Sequence, residues 1–221
     1  MTSERAEAMR AIAAEVRACT LCDLHRSRTH AVPGAGNISS PIMFIGEGPG
    51  FNEDQQGLPF VGRSGDYLNE LLRGIGLERS LVFITNVVKC RPPDNRDPLP
   101  SEIETCRPYL DRQIALIDPL VIVTLGRFSM ARYFPGEKIS QIHGQPKYED
   151  GRAYYPLYHP AAVLRNPSLR PAMEADFQRI LAVLDEMRRR RAAGILRVQP
   201  MPDDGQTDAP SDETPTQLSL F

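Results

Sequence analysis

Hydrophobic positions along this chain follow two alternating patterns. Short apolar runs of strand length occur at residues 42–45, 81–86, 120–125 and 153–158. Around them, apolar residues return every three or four positions, which is typical of helices, at residues 2–18, 64–75, 101–117, 127–134 and 173–190. Ser101 and Glu104 have the spacing of a capping box and mark one helix start. Alternating strands and helices predict a parallel sheet that is covered by helices on both faces.

Polar residues stand at the carboxyl ends of three of these strands. Glu47 lies in the glycine-rich turn after the first strand, Asn86 ends the second, and His159 follows the last. Taken singly, each suits an ordinary turn, and the glycine-rich segment suits a plain strand-to-helix connection as well as a ligand site. Parallel sheets assemble active sites at this edge, however, so three polar residues there predict a functional site.

Composition and charge limit the class of protein. The chain has 221 residues, 41 % of them hydrophobic and 24 % charged, which suits one soluble domain. No apolar run is long enough to cross a bilayer, and the charged amino terminus lacks the apolar centre of a signal peptide, so we expect a cytoplasmic protein without a membrane partner.

The carboxyl-terminal end differs from the rest of the chain. Five of the 28 acidic residues and none of the 26 basic ones lie beyond Arg197, which leaves residues 1–198 with a net charge of +3. This mild positive balance permits binding to nucleic acid without requiring it. We expect residues 1–198 to form the globular domain, and the acidic, proline-bearing residues 199–221 to be a disordered tail.

The four cysteines are the second candidate site. Cys19 and Cys22 form a CxxC pair, and Cys90 and Cys106 are separated by a 15-residue spacer that contains four prolines. In a cytosolic chain this inventory favours metal or redox chemistry over disulfides. The stiff spacer suits a cluster better than a compact zinc knuckle. The alternative is four thiols that are buried separately.

These features occur together as an ordered set of motifs: CxxC, GEGPG followed by ED and GLPFVG, TNVVKCRPP, a further cysteine, and HPAAVLRNP. The set resembles the iron-sulfur branch of the uracil-DNA glycosylases, usually called family four, over about residues 19–184. The resemblance implies the three-layer α/β/α uracil-DNA glycosylase fold with a central parallel four-stranded sheet, which agrees with the strand count. It also implies an enzyme of base excision repair that flips uracil out of DNA and hydrolyses its N-glycosidic bond.

The resemblance assigns roles to the residues of the glycine-rich turn and the strand ends. His159 is expected to donate a hydrogen bond to uracil O2, and Asn86 to read N3–H and O4 of the base. Phe60 is expected to stack on the base, since a Leu-Pro-Phe segment in a glycine-rich turn has little core to join. The backbone of Glu47 and Gly48 is expected to line the pocket, with the Glu47 carboxylate near the sugar.

Further positions carry the resemblance less closely. Glu53 is a candidate for the space beside uracil C5, and Arg165 resembles the position that enters the duplex as the base leaves. The best-known glycosylases have aspartate where this chain has Gly48 and tyrosine where it has Gly50, which leaves water activation and thymine exclusion open. The family often has serine at the position of Ala161, so one hydroxyl contact is missing.

The family's cluster ligands match Cys19, Cys22, Cys90 and Cys106 and imply a [4Fe-4S] cluster with a structural role. Three arginines near these cysteines are expected to face DNA phosphates: Arg91, Arg96 and Arg107.

The last five residues, QLSLF, resemble the short peptide by which bacterial repair and replication proteins dock on the sliding clamp. The expected clamp-binding residues are Gln217, Leu218, Leu220 and Phe221. The alternative is a chance match in a disordered tail. The partners expected are therefore uracil-containing DNA and the bacterial sliding clamp, with the protein itself a monomer.

Two other functions compete with an active glycosylase. One is the related branch that traps uracil-DNA covalently through a histidine in a basic insertion, but no insertion follows Lys89-Cys90-Arg91 and no histidine lies between His30 and His143. The other is a catalytically weak iron-sulfur DNA-binding or redox-sensing module of the same fold. The joint presence of Glu47, Asn86 and His159 argues against that module.

Overall fold

The computed structural model of the protein describes residues 2–194, and its centre is a six-stranded sheet of order β1-β3-β2-β4-β6-β5. The strands are β1 (Ala35–Gly36), β2 (Ile42–Gly46), β3 (Phe83–Asn86), β4 (Val121–Leu125), β5 (Lys147–Glu149) and β6 (Arg152–Leu157). The inner strands β3, β2, β4 and β6 are parallel, which confirms the predicted four-stranded sheet. The edge strands β1 and β5 are antiparallel and were not predicted, because two or three residues carry no periodic pattern.

Helices connect these strands and cover both faces of the sheet. In chain order they are α1 (Thr2–Ala18), α2 (Leu24–Ser27), α3 (Phe51–Gln56), α4 (Arg63–Gly74), α5 (Pro100–Ile117), α6 (Arg127–Ala131), α7 (Ile139–Ile142), α8 (Pro160–Arg165), α9 (Arg170–Gln178) and α10 (Ile180–Ala192). Short 3-10 turns occur at Arg79–Leu81, Pro93–Asn95 and Pro167–Leu169.

The two faces of the sheet bury different hydrophobic clusters. Phe44 and Tyr155 belong to the larger cluster, which includes the apolar faces of α4, α9 and α10. Met43 and Ile122 point to the other face, where they pack with the apolar residues of α5. All five residues of β2 are buried, as expected for a strand that is covered on both sides. The arrangement is the predicted three-layer α/β/α fold.

The predicted closing helix of residues 173–190 is wrong in one respect, because two helices stand there and break at Arg179. The Tyr155 hydroxyl donates a hydrogen bond to the backbone carbonyl of Asp176 at 2.8 Å. The Arg179 amide bonds the same carbonyl in a 3-10 pattern at 3.1 Å. The Asp176 carbonyl, near the end of α9, therefore accepts a hydrogen bond from Tyr155 of β6, a residue distant in sequence.

The capping box predicted for α5 is also placed wrongly. The helix begins at Pro100, and Leu99 is the residue before it. Glu102, instead of Glu104, accepts a hydrogen bond from the Leu99 amide at 2.8 Å. Proline at the first helical position fixes the start of the helix, because its ring presets the helical φ angle.

Within the described part of the chain, no helix has the length and hydropathy to cross a membrane. The tail predicted at residues 199–221, with the clamp-like peptide at 217–221, lies outside the described residues. The boundary predicted at residue 198 therefore stays a prediction.

Candidate active site

A cavity of about 740 Å³ opens at the carboxyl ends of the parallel strands. Glu47 after β2, Asn86 at the end of β3 and His159 after β6 all line it. The other residues predicted for the pocket and its rim also line it, and they are Gly48, Glu53, Phe60 and Arg165. The cavity thus gathers residues that are more than 100 positions apart, and it lies where open α/β sheets bind ligands.

Asn86 contributes an unpaired polar group to this cavity. The residue is only 1 % exposed, and its Oδ1 atom is buried without a hydrogen-bond partner. Buried acceptors are nearly always paired in folded proteins, so an orphaned one that lines a cavity indicates a ligand site. Gly46, the neighbour of Asn86 across the sheet, leaves room for it, since a Cβ atom there would collide with Asn86 Oδ1 and lie 2.7 Å from Phe60 Cζ.

Phe60 lies between the cavity and the larger hydrophobic cluster. It is 5 % exposed and packs in that cluster, so the expectation that it has little core to join is wrong. Its φ angle is 52°, a left-handed conformation that a bulky residue adopts only when its surroundings hold it there. Arg79 supplies that support by donating to the Phe60 carbonyl at 2.8 Å and to the Pro59 carbonyl. The Phe60 ring stacks on the His159 ring, with 5.6 Å between centroids.

His159 is held as a neutral imidazole with one defined tautomer. It is the residue before α8, and its Nδ1 atom accepts a hydrogen bond from the Ala161 amide at 3.1 Å. An accepting Nδ1 carries no proton, so the proton of the neutral ring is on Nε2. Burial, with a smaller contribution from Arg165, lowers the pKa of His159 to about 4. At neutral pH the ring is therefore an uncharged Nε2–H donor.

The Glu47 carboxyl lies beside the start of α6. Its Oε1 atom accepts from the Phe128 amide at 3.5 Å, and burial raises the pKa of the group above its usual value. Gly126, at φ 95°, makes this packing possible. A Cβ atom at Gly126 would lie 3.0 Å from Glu47 Cδ and 3.1 Å from His159 Cβ.

Glu53 braces the glycine-rich turn. Its Oε2 atom accepts from the Gly50 amide at 3.1 Å, and its Oε1 atom accepts from the amides of Val61 and Gly62 at 2.9 and 3.0 Å. One carboxylate therefore links Gly50, just before α3, to Val61 and Gly62, just before α4. The role of Glu53 beside uracil C5 stays a prediction. The three hydrogen bonds fix where the Glu53 carboxylate lies.

The four cysteines lie around a second, smaller cavity. The alternative of four separately buried thiols is therefore wrong. Arg28 donates to the Cys90 Sγ atom at 3.0 Å, and the Lys89 amide donates to Cys106 Sγ at 3.3 Å. Burial raises the pKa of Cys106 to about 11. Among residues 2–194, no group of three or more His, Cys, Asp or Glu side chains is arranged to hold a single metal ion.

Lys89 lies between the two cavities, and although it stands in the TNVVKCRPP segment, no role was predicted for it. The residue is 1 % exposed, and its Nζ atom donates to Thr85 Oγ1 at 2.6 Å, to the Asn86 carbonyl at 2.8 Å and to Gln113 Oε1 at 2.8 Å. Burial lowers the pKa of its ammonium group to about 8. No carboxylate of the described residues forms an ion pair with Lys89.

The arginines on the rim of the active-site cavity differ in whether they form an ion pair. Arg63 and Arg165 line the cavity and are exposed, and in residues 2–194 neither forms an ion pair. Arg96, by contrast, pairs with Glu102 at 2.6 Å. Two apolar side chains, Leu164 at 37 % exposure and Phe51 at 56 %, stand on the same rim and were not singled out from the sequence.

Comparison with known proteins agrees with this fold. The family model described as the uracil DNA glycosylase superfamily matches residues 33–185. A Type-4 uracil-DNA glycosylase of Sulfurisphaera tokodaii is 50 % identical over 184 residues, which cover 79 % of this chain and 84 % of that protein. A Type-4 uracil-DNA glycosylase of Archaeoglobus fulgidus is 47 % identical over 184 residues, covering 79 % of this chain and 92 % of the relative.

A Type-4 uracil-DNA glycosylase of Thermotoga maritima is 46 % identical over 167 residues, with 74 % of this chain and 87 % of the relative covered. The chain belongs to the uracil DNA glycosylase superfamily. Within that superfamily it falls with the type-4 branch, as the motif order predicted.

Proposed function

We propose that this chain is a uracil-DNA glycosylase, a hydrolase that removes uracil from DNA for repair by cleaving the N-glycosidic bond. The observation that carries the proposal is the buried, unpaired Oδ1 atom of Asn86 in a cavity that also holds Glu47 and His159. The Type-4 relatives, each at least 46 % identical over most of this chain, support the same activity.

Asn86 reads the base edge. Its Oδ1 atom accepts from uracil N3–H, and its amide nitrogen donates to O4. Cytosine presents the opposite pattern of donor and acceptor, so it would leave buried groups unpaired at a cost of about 1–3 kcal/mol for each. Phe60 supplies the apolar surface on which the extracted base stacks; Arg79 holds its backbone carbonyl, and its ring packs in the hydrophobic cluster.

Bond cleavage places negative charge on the uracil and positive charge on the sugar. The Nε2–H group of His159 donates to uracil O2 and stabilises the charge as it develops there. A neutral imidazole suits this task, because it gives a hydrogen bond without transferring a full proton.

Glu47 serves the opposite end of the bond. Its carboxylate, when ionised, stabilises the sugar cation or orients the attacking water, with Gly48 lining the adjoining wall. Because burial raises the pKa of Glu47, protonation of its carboxylate in mild acid should remove this effect on the sugar and the water. Arg165 enters the duplex as the base leaves, and its exposed position on the rim supports that role.

We propose that Cys19, Cys22, Cys90 and Cys106 hold a [4Fe-4S] cluster. The donor set fits, since four thiols line one cavity and two N–H groups point at sulfur atoms, as is usual around such clusters. When bound, the cluster supplies iron–thiolate bonds that join the segment after α1 to the 90–106 loop.

We further propose that residues 217–221 dock on the bacterial sliding clamp. Gln217 and the pair Leu220 and Phe221 suit a pocket that takes one amide and two apolar side chains, with Leu218 between them. A tether of roughly 20 residues raises the local concentration of the enzyme on DNA even when the peptide binds weakly. Deleting residues 217–221 should abolish clamp binding in calorimetry and leave excision from free oligonucleotides unchanged. Equal clamp affinity in both proteins contradicts this role.

A direct assay tests the enzymatic proposal. The protein is incubated with uracil-containing single- and double-stranded oligonucleotides, and abasic sites are then cleaved with alkali. Strand cleavage at the uracil position is expected, whereas intact oligonucleotides would favour the binding module of the same fold. The cytoplasmic location and the monomeric state are part of the same proposal, and sedimentation of the purified protein tests the latter.

A further inference from the structure

Phe51 is an exposed aromatic residue on the rim of the active-site cavity. Of the large apolar side chains that are exposed in residues 2–194, it is the aromatic one, at 56 % exposure. Scattered exposed leucines are ordinary in soluble proteins. Phe51 differs from most of them because it lines the cavity that holds Asn86 and His159.

The position of Phe51 is fixed, although its ring is exposed. Phe51 is the first residue of α3, and the Glu53 carboxylate closes the turn before it by accepting from the Gly50 amide. The Arg91 guanidinium lies over the Phe51 ring, with its carbon 5.2 Å from the ring centroid. Arg91 is itself held, because its Nε atom donates to Asn95 Oδ1 at 2.8 Å. The ring thus has a cation near it and remains largely open to solvent.

The substrate brings unstacked bases to this rim. A nucleotide whose uracil enters the cavity loses its stacking on both neighbours, and those neighbours must cross the rim. Every nucleobase has a flat face that stacks on aromatic side chains, independent of sequence. Arg63 stands on the same rim without an ion pair in residues 2–194, and it is suited to contact a phosphate that flanks such a base.

We propose that Phe51, backed by Arg91, is a stacking subsite for the nucleobase next to the extracted uracil. This inference rests on the proposed function and adds a contact outside the uracil pocket. The subsite replaces part of the stacking that the neighbouring base loses, and it requires no complementary strand. It therefore contributes to binding of single-stranded DNA.

Equilibrium binding of three single-stranded oligonucleotides tests the subsite. Each carries 2′-fluoro-2′-deoxyuridine, whose fluorine disfavours the sugar cation and so keeps the glycosidic bond intact during the measurement. One oligonucleotide is otherwise intact, and the others carry a tetrahydrofuran abasic residue on the 5′ or the 3′ side of the uracil. Their dissociation constants are measured by fluorescence anisotropy.

Four proteins are compared: wild type, Phe51→Ala, Phe51→Tyr and Leu81→Ala. Leu81 is the matched control, because it is 49 % exposed and does not line the cavity. Phe51→Ala should weaken binding of the intact oligonucleotide by about 5- to 150-fold, the range expected for one stacked base. Phe51→Tyr keeps the aromatic face and should bind as wild type does, and so should Leu81→Ala.

The decisive result is the combination of protein and substrate changes. With one of the two abasic oligonucleotides, wild type and Phe51→Ala should bind equally, because the stacking partner is already gone. A loss in Phe51→Ala that is the same for all three oligonucleotides overturns the subsite, as does intact-strand binding equal to wild type. Uracil release by wild type from an unmodified strand is measured separately, so failure of the subsite is distinguished from failure of the glycosylase assignment.

Discussion

Lys89 and Asn86 are joined inside the protein by a hydrogen bond, which the Lys89 Nζ atom donates to the backbone carbonyl of Asn86 at 2.8 Å. Through its own amide, Lys89 also donates to Cys106 Sγ at 3.3 Å. One buried residue therefore connects the end of β3, where Asn86 lines the active-site cavity, with the cavity that the cysteines line. The ammonium group uses all three of its N–H bonds in this position.

Replacing Lys89 by methionine, which has similar length and no donors, should lower both stability and uracil excision. The change removes the Nζ donor from Thr85 Oγ1, the Asn86 carbonyl and Gln113 Oε1, although Gln113 Oε1 keeps a longer bond from Thr85 Oγ1 at 3.3 Å. Each buried group left unpaired costs about 1–3 kcal/mol, partly offset because the buried charge is removed. We expect a net loss of about 2 kcal/mol in the free energy of unfolding, measured by chemical denaturation. Lys138→Met makes the same substitution at an exposed lysine and should change nothing. Wild-type stability in Lys89→Met contradicts this account of the network.

Glu47 should set the acid limb of the pH dependence of excision. Its pKa is raised by burial, so the carboxylate becomes protonated at a higher pH than an ordinary glutamate. Activity that needs the ionised group should fall as the pH decreases through that raised pKa. The profile of kcat/KM for wild type is compared with that of Glu47→Gln, which should be slower and lack this limb. An acid limb that persists unchanged in Glu47→Gln assigns it to another group.

His159 should make stability depend on pH. Its pKa is about 4 in the folded protein and 6.5 ordinarily, so the unfolded chain binds the proton first as the pH falls. The contribution of the buried neutral ring is fully present above pH 6.5 and is lost progressively towards pH 4. Its full size is about 3 kcal/mol. Wild type should therefore lose thermal stability relative to His159→Gln as the pH falls from 6.5 to 4, and a constant difference between the two thermal midpoints would exclude this linkage.

Cys90→Ala should lose iron and stability together. The wild-type holoprotein is expected to be brown and to contain about four irons for each chain. Removing one ligand frees the 90–106 loop from the segment after α1, because ligand bonds contribute directly to folding. Iron analysis and thermal unfolding of anaerobically purified proteins measure both effects. One zinc for each chain in a colourless anaerobic preparation would refute the cluster.

The four inner strands and the three residues at their ends were predictable, because buried strands leave apolar runs and parallel strands bring their carboxyl ends to one edge. The supporting residues were not. Gly46 and Gly126 are needed because a side chain at either position would collide with residues of the site. Those residues are distant in sequence and come together only on folding. Lys89 stands beside Cys90 in the TNVVKCRPP segment, but only the structure shows the acceptors around its ammonium group.

Release of the free base tests the central claim most directly. A single-stranded oligonucleotide with one uracil is incubated with excess enzyme, and free uracil is quantified by chromatography. Wild type should release uracil stoichiometrically and release nothing from a matched cytosine strand. His159→Ala and Asn86→Ala should each retain the fold and be slower by about 10²–10³, the cost of losing one transition-state hydrogen bond. Wild-type rates in either variant, or no free uracil from wild type, would contradict the account.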